Sequence, residues 1–227
     1  MLDHQFEEAS LLHKIMTTSV LPIWLFPTNS PLKEISSNEE EIAKSLPPKR
    51  SHQFKHTRGC VRFVLSRYLK IDPLEIPLNA PPGEAPQLDK ELGHISFSHS
   101  RDALVIGWSQ NKLGIDIERR DRFISARRIA DRFFNSKDQE HINKLIGQGL
   151  VSEVLSQWVI KESIIKWQRG AIASDLNKWS LDYKGNIATH KLLNLQVNFY
   201  KIEFRNWIIA ISSNQDLDAK NLLICIE

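Results

Sequence analysis

The chain has little cysteine, no long apolar run and almost no net charge. Two cysteines, Cys60 and Cys225, occur in 227 residues, far apart and in apolar surroundings. That excludes a disulfide framework or a cysteine-based zinc site, and both read as small buried side chains in a reducing compartment. No segment approaches the roughly 20 apolar residues that a membrane span needs. The apolar stretch from Val20 to Phe26 is short and broken by Pro22, and the N-terminus opens with acidic residues. No signal peptide and a cytoplasmic location are therefore expected. The net charge of +3 is too weak for a nucleic-acid binder and suits an anionic small molecule or an acidic protein. Aromatic residues make up 8% and do not interleave with a basic face, which also argues against nucleic acid. At 41% hydrophobic and 25% charged residues, the chain has the composition of an ordinary globular protein.

Two acidic segments stand out. The first runs from Lys112 to Arg119. Leu113, Ile115 and Ile117 alternate with Gly114, Asp116 and Glu118, so the segment reads as a strand with its apolar trio on one face and both carboxylates on the other. The Cα atoms of Asp116 and Glu118 then lie about 6.5 Å apart. Carboxylates that close oppose each other's ionisation unless a positive charge sits between them, and a hard divalent cation with oxygen ligands meets that need. Gly114 on the same face is expected to leave room for a ligand. A solvated outer strand face is the plain alternative.

The second segment is helical from Ser152 to Arg169, with Val151, Val154, Leu155, Trp158 and Ile165 at three- and four-residue steps. Glu162 falls on or beside that buried stripe and so needs a partner. Lys166, one turn on, serves either as an i,i+4 pair or as a cation aimed at an anionic substrate. A third piece, Gly93 to Ser100, alternates Ile95 and Phe97 with Ser96 and Ser98 before a polar turn at His99. Ser98 and His99 can both donate hydrogen bonds to phosphate oxygens.

Phe97-Ser98-His99-Ser100, Gly114-Ile115-Asp116-Ile117-Glu118 and Trp158-x-x-Lys161-Glu162-Ser163-x-x-Lys166 together resemble the three signature blocks of the 4′-phosphopantetheinyl transferases. The order and spacing resemble the longer Sfp-type branch, from about Leu21 to the C-terminus. Arg132-Phe133-Phe134-Asn135-Ser136-x-Asp138 is similar to the family's Phe-Phe-x-x-x-Glu segment, with Asp for Glu. The resemblance implies transfer of the phosphopantetheine arm of coenzyme A to a serine of an apo acyl, polyketide or peptidyl carrier protein. It implies Mg²⁺, or Mn²⁺, held by Asp116, Glu118 and Glu162. Glu162, Lys166 and His99 would be the catalytic set, and Arg50, Ser98, His99 and Lys166 would bind coenzyme A. The family's Gly-Lys-Pro segment has no counterpart lysine: Pro82 to Leu88 here contains none. A metal-dependent nuclease and a silent carrier-binding module remain as alternative readings of the same residues.

The remaining pattern gives an α+β chain. A strand is expected over Leu21–Phe26 and a short helix around Glu39–Ser45. A long helix follows over Arg50–Lys70, then a proline-rich loop to Pro86. Three strands come next, then helices over Ser125–Phe134 and Ser136–Ile146. Ser136 with Gln139 has capping-box spacing. Gly147 and Gly149 are expected to interrupt before the Glu162 helix. Strands are expected over Trp179–Tyr183, Leu195–Ile202, Trp207–Ile211 and Leu222–Ile226. The resemblance implies two similar α+β lobes related by a pseudo-twofold, 1–112 and 113–227, with residues 1–18 a loose extension and the active site in the cleft. A monomer is expected.

Overall fold

A computed structural model describes residues 20–227; the extension expected over 1–18 lies outside them. The fold is α+β, built on two sheets. In the first, the order is β2-β3-β1-β9, from β2 (His94–His99), β3 (Ala103–Ser109), β1 (Leu21–Pro27) and β9 (Leu222–Ile226). In the second, the order is β4-β8-β7-β6-β5, from β4 (Leu113–Arg119), β8 (Trp207–Ser213), β7 (Leu195–Phe204), β6 (Ile187–His190) and β5 (Trp179–Asp182). Every ladder is antiparallel except that of β1 with β9. The C-terminal strand β9 therefore returns to the sheet of the N-terminal strands.

Each sheet carries one long helix. The first helix, α1 (Ser37–Lys44), is joined by a short link to α2 (Pro48–Leu69). Cys60, Val61, Val64 and Leu65 of α2 pack on Trp24, Phe26, Leu104 and Ile106. Further on come α3 (Ala126–Phe133), α4 (Ser136–Ile142) and the long α5 (Gly147–Gln168), then a single turn, α6 (Ile172–Asp175). Val159, Ile160 and Ile164 of α5 pack on Trp179, Val197, Phe199 and Ala210. Between the sheets, Leu21, Ile23, Leu25 and Val105 meet Ile115, Ile117, Ile209 and Ile211. The layers thus run helix, sheet, sheet, helix. Alternation in β1 serves both interfaces, because successive side chains point to opposite faces. Each fully buried aliphatic side chain contributes about 1.5–3 kcal/mol. These three apolar layers therefore outweigh exposed ion pairs such as Lys44 with Glu41, whose attraction is screened by water.

Several local expectations are corrected. The cap of α4 is Asn135, not Ser136. The Asn135 side chain accepts from the Asp138 N–H, and the Asp138 carboxylate accepts from the Asn135 N–H. The helix ends at Ile142, not Ile146. Gly147 and Gly149 do not interrupt but open α5 as its first turn. The strand β6 was hidden, because Ile187–His190 offers only two apolar side chains in four residues. The proline-rich loop is held by α2: Arg62 donates to the Pro73 and Ile76 carbonyls, and Arg58 donates to Ala80 O. Cys60 is fully buried and Cys225 partly so, and both are free thiols.

Candidate active site

The carboxylate face of β4 does not look into solvent. It is covered by α5, and Gly114 is what lets the helix lie so close. A Cβ on Gly114 would come 2.0 Å from Ser163 O and 2.4 Å from Trp167 N. The room expected there for a ligand is filled by helix backbone. Ser163 strengthens the contact from the helix side, its hydroxyl 2.7 Å from that of Ser212 on β8.

One residue pair further along β4, Asp116 is 2% exposed. Its Oδ1 accepts from Lys166 Nζ at 2.7 Å and from Ser98 Oγ at 2.6 Å. Its Oδ2 is buried and has no hydrogen-bond partner. Lys166 therefore bonds the strand carboxylate and is not simply an i,i+4 partner of Glu162. It still pulls on Glu162 electrostatically. Burial raises the Glu162 carboxyl to about 7, and the nearby Asp116 charge adds to the rise. Lys166, Arg122 and the Trp158 indole act in the opposite direction. Glu118 is ion-paired to Arg122. Among the described residues, no three His, Cys, Asp or Glu side chains are gathered around one cation-sized point. Asp116 and Glu162 adjoin, while Glu118 is turned toward Arg122, the guanidinium that offsets the acidic charge here.

Ser98 lines neither of the two cavities at this junction. It and Ser96 tie the sheets together: Ser98 donates to Asp116, and Ser96 Oγ accepts from Ile115 N at 3.1 Å. The two edge strands β2 and β4 are joined through serine hydroxyls where a backbone ladder is missing.

His99, at the end of β2, lies 2.6 Å from Thr57 Oγ1 through Nε2. The Thr57 hydroxyl donates to Gln53 O at 2.7 Å, so Nε2 is the protonated nitrogen. Burial pushes His99 down to about 4, helped by the positive charges of Lys166, His56 and Arg58, so the ring is neutral near pH 7.

A cavity of about 620 Å³ lies between β2 and α5. Phe97, Glu162, Ile165, Lys166 and Arg169 line it, and so does the loop Gly83–Gln87. A second cavity, of about 420 Å³, is lined by Arg50, Thr57, Arg58 and His99. Gly83 and Phe97 line both, so the loop that lacks the family lysine forms the saddle between them. The fold thus brings Asp116, Glu162, Lys166 and Ser98 together on one side of Phe97, and His99 and Arg50 together on the other. Sequence reasoning missed Arg58, His94, Lys112 and Arg169 as cavity walls. Arg169 was legible, since Glu162, Lys166 and Arg169 share one helix face at i, i+4 and i+7.

Lys161 lies on the same helix as Glu162 and Lys166, and Asp138 on α4, and neither lines the cavity. Lys161 is fully buried and donates to Asp138, and it lies 4.9 Å from the centre of the Phe134 ring. The Phe-Phe-x-x-x-Asp segment is therefore docked on α5 by a buried ion pair.

Residues 112–212 match the family model of the 4′-phosphopantetheinyl transferase superfamily. Over 166 residues the chain is 25% identical to a Synechocystis sp. protein named provisionally as a 4′-phosphopantetheinyl transferase, covering 69% of this chain and 68% of that one. The matched stretch holds β4, α5 and every carboxylate of the cluster, so the similarity to the 4′-phosphopantetheinyl transferase superfamily falls on the part of the chain that carries the candidate site.

Proposed function

We propose that this enzyme transfers the 4′-phosphopantetheine arm of coenzyme A to a serine hydroxyl of an apo acyl, polyketide or peptidyl carrier protein, as a member of the two-lobed Sfp-type branch. Adenosine 3′,5′-bisphosphate is the second product. The observation that carries this reading is the meeting of Asp116, Glu162 and Lys166 beside the larger cavity, with one oxygen of Asp116 buried and unpaired.

The donor set fits a hard divalent cation, Mg²⁺ or Mn²⁺. An orphaned buried carboxylate oxygen and a second carboxyl pushed up beside it are the mark of charge awaiting a cation. Asp116, Glu118 and Glu162 would hold it, Glu118 by exchanging Arg122 for the metal. When bound, the ion withdraws charge from the diphosphate and stabilises the leaving phosphate.

The protein's own groups then have distinct tasks. Lys166 supplies fixed positive charge at the diphosphate. Ser98 orients Asp116 and positions it. Glu162, poised near neutrality by burial, takes the proton of the attacking serine hydroxyl, directly or through a water. The carrier oxygen forms its bond to phosphorus as the bond to the bisphosphate oxygen breaks, and the proton ends on the base. Arg50 and His99 line the smaller cavity, where the nucleotide end is held. Arg58 adds a buried cation there in place of the missing loop lysine.

Intact mass of an apo carrier after incubation with the enzyme, coenzyme A and Mg²⁺ tests this. The carrier should gain one phosphopantetheine, and Glu162→Gln should abolish the gain. A panel of fatty-acid, polyketide and peptide carriers with no mass change in any member overturns the proposal.

A further inference from the structure

The loop over residues 73–86 reaches both cavities, yet it makes few bonds of its own. Pro73, Pro77, Pro81, Pro82 and Pro86 punctuate it. A proline has no N–H, so such a segment cannot close a regular ladder, and its carbonyls need donors from elsewhere. One pinch exists: Asn79 and Gln87 exchange both backbone hydrogen bonds, at 2.9 and 2.8 Å. That closes residues 79–87 into a narrow arm with Gly83 near its tip, in the turn where Glu84 N donates to Pro81 O. Gly83 has φ 86, left-handed backbone that suits glycine. Pro82 and Gly83 line the smaller cavity and residues 83–87 the larger.

The base of this arm rests on an ion pair that lines neither of the two cavities. Arg62 on α2 and Glu39 on α1 are both buried, with Nε 2.7 Å from Oε2. The rest of the guanidinium faces the loop: NH1 donates to Pro73 O at 2.8 Å and to Ile76 O at 3.0 Å. The same Glu39 oxygen accepts from the Ser36 N–H and hydroxyl, at 2.8 and 3.0 Å, and closes the cap of α1. One turn earlier on α2, Arg58 donates to Ala80 O. The helices α1 and α2 and the loop therefore meet at one charge pair. Apolar side chains of similar volume hold two helices together about as well as a buried ion pair does. They have nothing to donate to loop carbonyls. A rigid guanidinium fork faces a carboxylate on one side and two carbonyls on the other, which the point charge of a lysine does not. The pair is built to place the loop.

We propose that Glu39 and Arg62 are positioning residues: through the Pro73 and Ile76 carbonyls they set where Gly83 stands relative to Phe97, the two residues common to both cavities, and so the passage of a ligand that spans them. Neither residue touches that ligand. The inference deepens the transferase reading and rests on it for the identity of the ligand, coenzyme A, whose diphosphate and nucleotide ends take one cavity each. Asp116, Glu162 and Lys166 stand on β4 and α5, outside this brace. The pair therefore governs how coenzyme A is held and leaves the chemical step alone.

Two mild variants of the full chain test this. Arg62→Lys keeps the charge and loses the fork; Glu39→Gln keeps an acceptor for the Ser36 N–H and loses the charge. Should Arg62→Lys not fold, Glu39→Gln carries the test alone. Amide hydrogen exchange should quicken at Asn79 and Gln87 and stay unchanged in β4 and α5. With carrier mass gain as the readout, KM for coenzyme A should rise about three- to thirtyfold while kcat stays within about twofold. A loss of folded enzyme does the reverse, lowering kcat at constant KM, so a purely structural role is told apart. Combining the two changes should add little to either, because they act as one device. Unchanged exchange in the arm, or an unchanged KM in an active variant, overturns the proposal and leaves the transferase reading standing. A wild-type protein that binds no coenzyme A in calorimetry removes that reading, and the proposal with it.

Discussion

Lys166 on α5 reaches Asp116 on β4, 2.7 Å from Nζ to Oδ1, and joins the helix to the strand at the edge of the larger cavity. The lysine is partly exposed and the aspartate buried, so one end of the pair faces the cavity while the other is locked. Lys166→Met should therefore lower phosphopantetheine transfer by about 10²–10³-fold, as the removal of a charge-stabilising group does. Carrier mass gain over time measures it. A rate within threefold of wild type would show that the lysine only braces Asp116.

Gly114→Ala should be among the most disruptive single methyl additions in the chain. The new Cβ meets helix backbone at Ser163 and Trp167, and backbone cannot rotate away. We expect a loss of roughly 3 kcal/mol, at the upper end of core overpacking, read as a lower denaturant midpoint. An unchanged midpoint would mean that β4 and α5 are not in that contact.

Lys161 and Asp138 are both buried, and the capping role of Asp138 ties α4 into the same pair. Lys161→Met alone leaves a buried carboxylate without its cation and should cost about 3–5 kcal/mol. Adding Asp138→Asn removes the charge while keeping an acceptor for the Asn135 N–H, and should recover much of that loss. A double-mutant cycle by urea unfolding decides it; strict additivity would refute the coupling.

His99 sets a pH dependence of stability. Its folded pKa of about 4 lies below the ordinary value of 6.5. Between those two values the unfolded chain binds more protons than the folded one, so stability rises with pH. The contribution is complete above pH 6.5 and is lost as pH falls toward 4. His56 and His94 are shifted the same way and add to the trend. His99→Asn should flatten part of the acid limb in thermal melts from pH 4 to 7. An acid limb identical to wild type would place His99 in contact with solvent.

Period and spacing were enough for most elements. The strand at Asp116 and the helix at Glu162 were readable because burial imposes a period of two on the one and of 3.6 on the other. The cap at Asn135 was misread one residue late, because Ser136 with Gln139 and Asn135 with Asp138 offer nearly the same capping spacing. Only the backbone geometry chooses between them. β6 was lost because a short strand with two polar residues carries too little pattern to separate it from a turn.

By itself, the sequence determined the α+β class, the identity of the acidic and basic side chains, and the three-block order that points to a phosphopantetheinyl transferase. Those are local properties, carried by alternation and by residue chemistry. Tertiary structure alone decided that Ser98 serves Asp116, that Gly114 makes room for a helix, and that His94, Lys112 and Arg169 share one wall. Each is a relation between segments far apart in the chain. Their meeting is set by how two sheets and two helices stack, which no local pattern encodes.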